Sequence, residues 1–296
     1  MDNNLIIHHN DMDGYMSAVV LQIFLGATNT ICLDYDSGYV PAEELCYGDY
    51  DTIYIVDYSF NEDIMQWLFA NRNVVWIDHH VSAIDKSKKH GYDSMYGIRK
   101  IGLCGAELTW EYCFPNEKMP SFLRLVGDYD TFRSIKNREY HDTVVMPFFY
   151  GITSCIEKIN PDNFGKHGFL FGCASDLSSC SIKDFVVRGR LIKKYLDVTY
   201  KENAKSSFIR NCGNLRVLCI NSVSRGSSQL ELFFDADKHD LMCVFHYDGK
   251  RWCYGFYTDT IKKPNVDVSK IAVSLGGGGH RGASGATSDK LLEWLK

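Results

Sequence analysis

The N-terminal half of the chain alternates short apolar runs with segments whose apolar residues recur at helical spacing. Residues 4–8 form the first run, and beyond a polar loop the apolar positions follow at the three- and four-residue intervals of a helix. A second run covers residues 52–56, after which Asn61 is the predicted N-cap of a helix, and a third run covers residues 74–77. Apolar strands that alternate with helices predict a parallel sheet with helices on both faces.

Beyond residue 100 the helical pattern continues and then gives way to a β-rich segment. Residues 105–185 are mostly helical in pattern, and a charged amphipathic stretch follows, which we interpret as a connecting helix at residues 186–207. Strand patterns then predominate, with Asp248-Gly249 as the turn of a hairpin. The sequence therefore predicts an α/β protein. Its N-terminal parallel-sheet domain would cover residues 1–185, and a smaller mixed α/β domain would cover residues 208–296.

Composition narrows the classes of function. The chain has 296 residues, of which 45% are hydrophobic, and this is enough for two domains with cores of their own. Its net charge of −5 argues against a protein that coats long duplex DNA, because such binding needs an extended basic surface. No stretch approaches the ~20 apolar residues of a membrane span, and the N-terminus lacks the basic region of a signal peptide. We therefore expect a cytoplasmic protein without a membrane partner.

The eleven cysteines do not predict a disulfide framework or a zinc site. They are odd in number, scattered along the chain, and contain no C-x-x-C pair. We expect most of them to be buried free thiols in a reducing compartment.

Aspartate and histidine residues follow three of the predicted strands. The residues are His9, Asp11 and Asp13 beyond the first strand, Asp57 at the end of the second, and Asp78-His79-His80 at the end of the third. Alternate residues of an extended segment project to the same side, and the carboxyl ends of parallel strands meet at one edge of a sheet. A helix cap would explain one such end. Three ends that carry Asp and His predict a metal site.

The residue types of this site indicate the metal. Carboxylate and imidazole ligands without a thiolate suit Mn²⁺, with Mg²⁺ or Co²⁺ as alternatives, and disfavour structural zinc. Two such ions held ~3.5–4 Å apart activate water for in-line attack on phosphorus. A fourth segment, residues 126–132, adds Asp128 and Asp130 beyond a further apolar stretch. By itself it is an ordinary polar turn, and its weight comes from the other three segments.

Together the four segments resemble the ordered motifs of the DHH superfamily of phosphoesterases. The matching stretches are His9-Asn10-Asp11-Met12-Asp13-Gly14, Asp57, Asp78-His79-His80 and Gly127-Asp128. The superfamily includes RecJ exonucleases, nanoRNases, cyclic-dinucleotide phosphodiesterases and family II pyrophosphatases. The resemblance implies a phosphoesterase with two Mn²⁺ ions.

The resemblance also implies a role for each matching residue. One metal ion would be held by His9, Asp11 and Asp57, and the other by Asp13, Asp57, His79 and Asp128. In this arrangement Asp57 bridges the two ions. Asp78 would orient a histidine, and His80 would contact the substrate phosphate.

Two of these assignments have alternatives. The superfamily varies in the spacing ahead of the Asp-x-Asp pair, so His8 is an alternative to His9. In the fourth motif Asp128 fits best, because Phe132 follows it at the expected spacing, and Asp130 is the alternative.

A glycine-rich segment near the C-terminus, residues 276–279, follows a short amphipathic helix. Four successive glycines weaken regular structure, so we expect a backbone conformation or a close approach to require them. A flexible loop is the alternative, but the flanking helix and the adjacent histidine favour a phosphate cradle of unhindered amides. The segment resembles the GGGH motif of the DHH-associated substrate domain. The resemblance implies that a terminal phosphate or nucleotide is held by Gly277, Gly278, Gly279, His280 and Arg281.

One departure from the nanoRNases concerns substrate contacts. Many nanoRNases have an arginine in the strand ahead of the GGGH motif, where residues 254–258 of this chain are Tyr-Gly-Phe-Tyr-Thr. Tyr257 is a candidate for stacking on a base, and Arg281 or Arg225 for supplying positive charge. The loop at residues 224–228 is either a phosphate contact or an ordinary polar turn.

The expected function is hydrolysis of short oligonucleotides to nucleoside monophosphates, since the first motif is similar to that of nanoRNase B-like proteins. The partner would be a short oligonucleotide or another small nucleotide, and the protein a monomer or a homodimer. One alternative is hydrolysis of a cyclic mono- or dinucleotide or of 3′-phosphoadenosine 5′-phosphate. Another is a non-catalytic nucleotide-binding module, which the complete set of ligands disfavours. Long-strand exonuclease activity is disfavoured because no basic aromatic channel is visible.

Overall fold

The computed structural model describes most of the chain, in two compact units. The units comprise Met1–Lys193 and Lys194–Lys296, and the division lies within one long helix. The described residues are 3–26, 28–35, 40–154, 180–224 and 226–296. No helix among them is long and apolar enough to cross a membrane. The domain boundaries given above stay a prediction.

A four-stranded parallel sheet forms the centre of the first unit. Its strands are β1 (Asn4–His9), β2 (Asn29–Leu33), β3 (Thr52–Val56) and β4 (Val74–Ile77), in the order β2-β1-β3-β4. All three neighbouring pairs are parallel. Strands β1, β3 and β4 confirm the three predicted runs. The sequence pattern does not predict β2, because this strand lies at the edge of the sheet and only Leu33 of its residues is buried.

Helices follow the strands of this sheet. They are α1 (Met12–Leu25), α2 (Ala42–Tyr47), α3 (Glu62–Asn71), α4 (Val81–His90), α5 (Gly105–Cys113), α6 (Ser121–Asp130), α7 (Arg138–Tyr140), α8 (Met146–Thr153) and α9 (Cys180–Asn203), the last of which crosses into the second unit. A 3₁₀ turn at Arg133–Lys136 and a π turn at His141–Val145 lie between α6 and α8. The predicted cap is confirmed, because Asn61 Oδ1 accepts a hydrogen bond of 3.0 Å from the Ile64 amide. Residues 155–179 of the predicted helical region lie outside the described residues.

The side chains of the sheet alternate between two apolar clusters, one on each face. Ile6 and Ile77 pack into the first cluster, together with buried residues of α1, α5 and α6. Ile7 and Trp76 pack into the second, which also contains Met65 and other residues of α3. Because both faces of the sheet are covered, the predicted parallel sheet with helices on both sides is confirmed.

The second unit contains a mixed sheet and short helices. The strands are β5 (Phe208–Cys212), β6 (Leu215–Asn221), β7 (Leu241–Tyr247), β8 (Trp252–Tyr257), β9 (Gly278–Gly279) and β10 (Ala283–Ser288), in the order β5-β6-β7-β8-β10-β9. Strands β6 and β7 are parallel, and the other neighbouring pairs are antiparallel. The helices are α10 (Ser228–Glu231) and α11 (Val268–Ser274), with 3₁₀ turns at Ala204–Ser206 and Glu293–Leu295. This arrangement confirms the predicted smaller α/β domain with mixed strands.

The predicted turn at Asp248-Gly249 joins β7 to β8. Oδ1 of Asp248 accepts hydrogen bonds of 2.7 Å from the amides of Lys250 and Arg251. Gly249 has a φ of 98°, in the left-handed region that glycine adopts without a steric penalty. The hairpin prediction is confirmed, and the turn residues explain it.

The cysteines that the structure describes are all free thiols. Most of them are buried, including Cys104 in the first unit and Cys219 and Cys243 in the second. Burial raises the pKa of the Cys104 thiol well above its usual value, and the carboxylate of Asp13 adds to the effect. These side chains act as small apolar groups of the core, as predicted.

Candidate metal centre

The carboxyl ends of β1, β3 and β4 bring the predicted Asp and His residues together. His9 ends β1, Asp57 directly follows β3, and His79 lies just beyond β4. The amide of Asp57 donates a hydrogen bond of 2.9 Å to the carbonyl of Ile77, which ties the ends of β3 and β4 together. Asp57 has a φ of 52°, in the left-handed region that residues other than glycine rarely adopt. Such backbone strain is concentrated at functional sites.

The first group of potential ligands consists of His9, Asp11 and Asp57. Nδ1 of His9 lies 2.9 Å from Oδ2 of Asp11 and 3.9 Å from Oδ2 of Asp57. One donor atom from each residue lies within 4.8 Å of the others, which suits a single cation. Asp11 also caps α1, because its Oδ1 accepts the Gly14 amide at 2.9 Å. One oxygen of Asp11 therefore caps the helix, and the other faces the potential metal position.

The second group consists of Asp13, Asp57 and His79, all of them buried. Nε2 of His79 lies 3.1 Å from Oδ1 of Asp57 and 3.4 Å from Oδ2 of Asp13. Asp57 therefore belongs to both groups, with Oδ1 towards His79 and Oδ2 towards His9. One carboxylate between two sets of donors has the arrangement of a bridging ligand.

Helix α5 holds Asp13 in this position. The amides of Gly105 and Ala106, at the helix N-terminus, donate hydrogen bonds of 2.6 Å and 2.8 Å to the two oxygens of Asp13. The positive end of the helix dipole adds a favourable interaction with the carboxylate. A Cβ at Gly105 would lie 2.7 Å from Cβ of Asp57, so only glycine fits at this position. The sequence pattern gives no sign of this contact, because α5 begins far along the chain.

Asp130, rather than Asp128, lies beside the second group. Oδ2 of Asp130 is 3.5 Å from Nε2 of His79. Asp128 points elsewhere, because its Oδ1 accepts the Nε–H of Arg133 at 3.1 Å and its Oδ2 accepts the hydroxyl of Tyr140 at 3.0 Å. Both aspartates belong to α6. Residues that are two positions apart in a helix point about 200° apart around its axis, so the two side chains face nearly opposite directions. Of the two alternatives, Asp130 is thus the one whose carboxylate lies near His79, and the choice of metal ligand stays a prediction.

His9, rather than His8, faces these carboxylates. Adjacent residues of a strand point to opposite faces, and His8 lies completely buried, with Nδ1 2.8 Å from the carbonyl of His9. Burial lowers the pKa of His8 to about 4, so its imidazole is neutral. The alternation of β1 thus places His9 rather than His8 beside the carboxylates, and the role of His9 as a metal ligand stays a prediction.

Asp78 orients the triplet at the end of β4. Its Oδ1 accepts hydrogen bonds from the amides of His79 and His80, at 2.7 Å and 3.1 Å. Nδ1 of His80 lies 2.8 Å from the same oxygen and 3.8 Å from Oδ1 of Asp57. Through these hydrogen bonds the fully buried Asp78 fixes both the backbone turn and the imidazole of His80.

The electrostatics of the cluster fit bound cations. Burial raises the pKa of Asp57 well above its usual value, and the carboxylates of Asp13 and Asp11 raise it further. Burial raises the pKa of Asp130 in the same way, again with help from Asp13 and Asp11. Burial lowers the pKa of His9, but the carboxylate of Asp11, together with those of Asp34 and Asp130, outweighs this effect and raises the pKa to about 9. So many buried acidic groups are unfavourable unless positive charge joins them.

Three carboxyl oxygens of the cluster accept no hydrogen bond from the described residues. They are the Oδ2 atoms of Asp57, Asp78 and Asp130, and all three are inaccessible to solvent. Buried polar atoms in proteins nearly always have a partner, and an ion is one explanation of the exceptions. Carboxylate oxygens and imidazole nitrogens without a thiolate are the donors of Mn²⁺ and Mg²⁺. The residues present therefore fit divalent metal ions.

Arg133 joins the helices that carry these groups. Its guanidinium donates two hydrogen bonds of 2.8 Å to Glu107 of α5, and its Nε–H binds Asp128 of α6. Glu107 is almost fully buried and also accepts the Cys104 amide at 3.1 Å, so it caps α5 as well. The pair thus sets α5, which holds Asp13, against α6, which carries Asp130. Arg133 could not be identified from the sequence, because nothing in the local pattern distinguishes it from a surface arginine.

A fourth strand end, also unpredicted, reaches the same edge of the sheet. Strand β2 is followed by Asp34 and Tyr35, and the Tyr35 ring centroid lies 5.0 Å from that of His9. A strand prediction for residues 29–33 would have placed this pair beside the other strand ends. The edge therefore carries an aromatic side chain as well as acids and imidazoles.

The glycine-rich segment belongs to the second unit, where it closes α11 and pairs with β10. The amides of Gly276 and Gly277 donate to the carbonyls of Val273 and Ala272, at 3.0 Å and 2.8 Å. The Gly277 amide is therefore already paired within its own unit, which disfavours its predicted place in a phosphate cradle. A Cβ at Gly279 would lie 2.7 Å from Cα of Ser284, and its φ is 132°. The predicted need for a close approach is confirmed, and the neighbour is a strand of the same unit.

Other predicted substrate contacts lie near this segment or in its sheet. The His280 amide donates to the carbonyl of Ala283 at 2.7 Å, and the Arg281 side chain is exposed. The hydroxyl of Tyr257 accepts the Gly226 amide at 3.2 Å. Arg225 lies outside the described residues.

Known proteins have low similarity to the chain. No family model matches it. The uncharacterized protein R106 of Acanthamoeba polyphaga mimivirus is 25% identical over 247 residues, a match to 79% of this chain and 52% of R106. The chain thus spans about half the length of this curated relative.

Two of the solved structures with a similar fold have a named substrate or a bound metal ion. One is PggH of Vibrio cholerae, a pGpG-specific phosphodiesterase, with 13% identity, a TM-score of 0.49, and coverage of 97% of this chain and 93% of that chain. The other is RecJ of Thermus thermophilus in complex with Mn²⁺, with 13% identity, a TM-score of 0.47, and coverage of 97% and 50%. Both TM-scores lie below 0.5, so the function of this chain has to be inferred from its own residues.

Proposed function

We propose that this chain is a metal-dependent phosphoesterase of the DHH superfamily that hydrolyses short oligonucleotides to nucleoside monophosphates. The observation that carries the proposal is the position of Asp57, whose two carboxyl oxygens face two different groups of metal ligands. The motifs that resemble the superfamily supply these residues in the expected order along the chain.

The two groups would each hold one cation. One is assigned His9, Asp11 and Asp57, and the other Asp13, Asp57, His79 and Asp130, which replaces Asp128. Mn²⁺ is the proposed metal, with Mg²⁺ or Co²⁺ as alternatives, because the donors are oxygen and imidazole nitrogen. When bound, a pair of such cations supplies Lewis-acid activation of water and of the phosphoryl group.

The chain's own residues position this chemistry. Asp78 fixes the His80 imidazole through its hydrogen bond to Nδ1, and we assign His80 to donate a hydrogen bond to a phosphoryl oxygen or to the leaving group. Helix α5 holds Asp13 with two amides, so this carboxylate needs little reorganisation when a cation binds. Preorganisation of this kind is where enzymes gain most of their electrostatic stabilisation.

The second unit is assigned to substrate binding. By the resemblance of its glycine-rich segment, we propose that Gly278, Gly279, His280 and Arg281 bind the end of a short substrate. Catalysis is assigned to residues 1–185 and substrate binding to residues 208–296, with residues 186–207 as the connecting helix. The acidic net charge favours a short substrate over a long duplex, because the latter requires an extended basic surface.

A panel of phosphoesters tests the proposal. The purified chain would be assayed with Mn²⁺ on dinucleotides to pentanucleotides, linear and cyclic dinucleotides, and 3′-phosphoadenosine 5′-phosphate. We expect release of nucleoside monophosphates from the short oligomers and loss of this activity when the metal is chelated. The variant D57N is the control, since removal of the shared carboxylate should abolish turnover while the fold is retained.

Each other result has a definite meaning. Activity on another phosphoester alone would replace the substrate but keep the metal centre. Full activity of D57N would show that the metal centre is misplaced. Binding of nucleotides without turnover of any phosphoester would identify a binding module and refute the enzyme.

A further inference from the structure

Tyr35 occupies a position beside the metal centre that the motifs do not explain. It lies two residues beyond the end of β2, and its ring centroid is 5.0 Å from that of His9 and 6.2 Å from that of His80. The first of these histidines is a proposed metal ligand, and the second is the proposed phosphate contact. An aromatic ring therefore stands next to the place where the reacting phosphate would bind.

The ring of Tyr35 is supported on one face and by its hydroxyl. Tyr58 stacks on it with a centroid distance of 4.6 Å and an interplanar angle of 22°, and Tyr58 in turn packs on Phe60. The amide of Ser59 donates a hydrogen bond of 3.1 Å to the Tyr35 hydroxyl. Tyr58 is 5% exposed and belongs to the apolar cluster on that side of the sheet, so the support is part of the core.

The arrangement of the three rings leaves much of Tyr35 in contact with solvent. The centroids of Tyr35, Tyr58 and His9 are separated by 4.6, 5.0 and 6.4 Å, so Tyr58 and His9 lie at roughly a right angle about Tyr35. Tyr58 thus covers one face of the ring, and His9 approaches its edge. Tyr35 remains 46% exposed.

From this geometry we infer that Tyr35 is a stacking surface for a nucleobase next to the cleaved phosphate, and thus a specificity-determining residue. The inference rests on the proposed function, which it makes more specific. A nucleotide carries a flat base about one sugar away from its phosphate, and Tyr35 lies beside the histidine assigned to that phosphate. Stacking on a tyrosine accepts any base, which suits an enzyme for oligomers of varied sequence.

Prior anchoring of the ring supports a binding role over a purely structural one. A tyrosine that only covered Tyr58 would gain most from being buried itself, whereas the exposed area of Tyr35 is large. A ring that is fixed before binding loses little conformational entropy when a base stacks on it. The hydrogen bond to the hydroxyl and the stack on Tyr58 provide this fixation.

The test compares substrates with and without a base. Wild type, Y35A and Y35F would be assayed on a dinucleotide and on two analogues, each of which lacks the base on one side of the scissile phosphate. Y47A is the matched control, because Tyr47, the last residue of α2, is a tyrosine of the same unit and is 87% exposed. Unfolding in urea would show that every variant is folded.

We expect Y35A to lower kcat/KM on the complete dinucleotide about five- to a hundredfold, the usual effect of losing one stacked base. On one of the two abasic analogues Y35A should behave like wild type, because the base that Tyr35 contacts is already missing. Y35F retains the ring and should be close to wild type on all three substrates, as should Y47A. An equal loss on all three substrates would show that Tyr35 only supports His9, and no loss on any of them would show that the ring has no role.

A binding measurement separates this inference from the proposed function. If wild type cleaves none of the short oligonucleotides, from dinucleotides to pentanucleotides, the proposed function fails. The affinities of wild type and Y35A for a nucleoside monophosphate and for ribose 5-phosphate, measured by calorimetry with Mn²⁺, then decide the inference. A loss confined to the nucleoside monophosphate supports stacking, and equal affinities of the two proteins for both ligands refute it.

Discussion

The carboxylate of Asp13 accepts a hydrogen bond of 2.6 Å from the amide of Gly105, although 92 positions separate the two residues in sequence. Asp13 lies in the first turn of α1 and Gly105 opens α5, so the contact joins the N-termini of two helices at the carboxyl edge of the sheet. The absence of a side chain at Gly105 also makes room for Asp57. One glycine amide thus fixes one proposed ligand and the space for another.

The substitution Gly105→Ala should therefore weaken metal binding. Its Cβ would lie 2.7 Å from Cβ of Asp57 and 3.1 Å from Oδ2 of Asp13, so one of these groups must move. We expect at least a roughly tenfold lower affinity for Mn²⁺ in calorimetry, the usual effect of disturbing groups that orient ligands. Gly91→Ala is the control, because its φ of 75° makes alanine unfavourable while nothing lies within 4 Å of a Cβ there. It should lower stability only, and an equal loss of Mn²⁺ affinity in both variants would contradict the prediction.

The variants Asp130→Asn and Asp128→Asn should differ in metal binding. Asp130 approaches His79, whereas both oxygens of Asp128 are held by Arg133 and Tyr140. We expect D130N to lower Mn²⁺ affinity about a hundredfold or more and D128N less than about tenfold, as measured by calorimetry. The reverse order would restore the original assignment by motif spacing.

Removal of the Arg133 guanidinium should destabilise the first unit and disturb the metal centre. Arg133→Ala leaves the carboxylate of Glu107 buried without its cation, which typically costs about 3–5 kcal/mol of unfolding free energy. Urea denaturation measures this loss, and Mn²⁺ affinity should fall as α5 and α6 shift. The control is Arg138→Ala. The ion pair between Arg138 and Asp142 is exposed, so we expect it to contribute only about 0–1 kcal/mol. Similar losses in the two variants would argue against the bridging role of Arg133.

Asp240 should make the stability of the second unit dependent on acid. Burial alone would raise the pKa of Asp240, but the amide of Arg216 and the ammonium of Lys263 outweigh it and lower the pKa to about 2. A carboxyl group with a lowered folded-state pKa stabilises the protein above its ordinary value of 3.8. This contribution is lost as the pH falls from about 4 towards 2.

The variant Asp240→Asn tests this dependence. At pH 7 we expect it to be less stable than wild type by an amount on the order of 1 kcal/mol, in denaturant unfolding. The difference should shrink as the pH falls to about 2, because wild type then loses the same charge. A difference that stays constant over this range would mean that the charge of Asp240 is not the cause.

Much of the fold follows from local patterns in the sequence. The apolar runs at β1, β3 and β4 are buried on both faces, so their composition alone marks them as strands of a covered parallel sheet. Strand β2 carries no such signal, because an edge strand in which most residues remain accessible needs no continuous apolar run. With β2 unpredicted, Tyr35 could not be placed at the edge of the sheet.

The candidate site, like the fold, has one part that the sequence predicts and another that it does not. Asp57 and His79 could be placed together because Asp57 directly follows β3, His79 lies two residues beyond β4, and the ends of parallel strands meet at one edge. The choice between Asp128 and Asp130 depended on the rotation of α6 about its axis, which short-range spacing does not determine. The sequence by itself determined which strands bring acids and imidazoles to the edge, because that relation is local to each strand. Only the tertiary structure decided which amides of α5 and which side chain of α6 meet them, because those contacts depend on how distant helices pack.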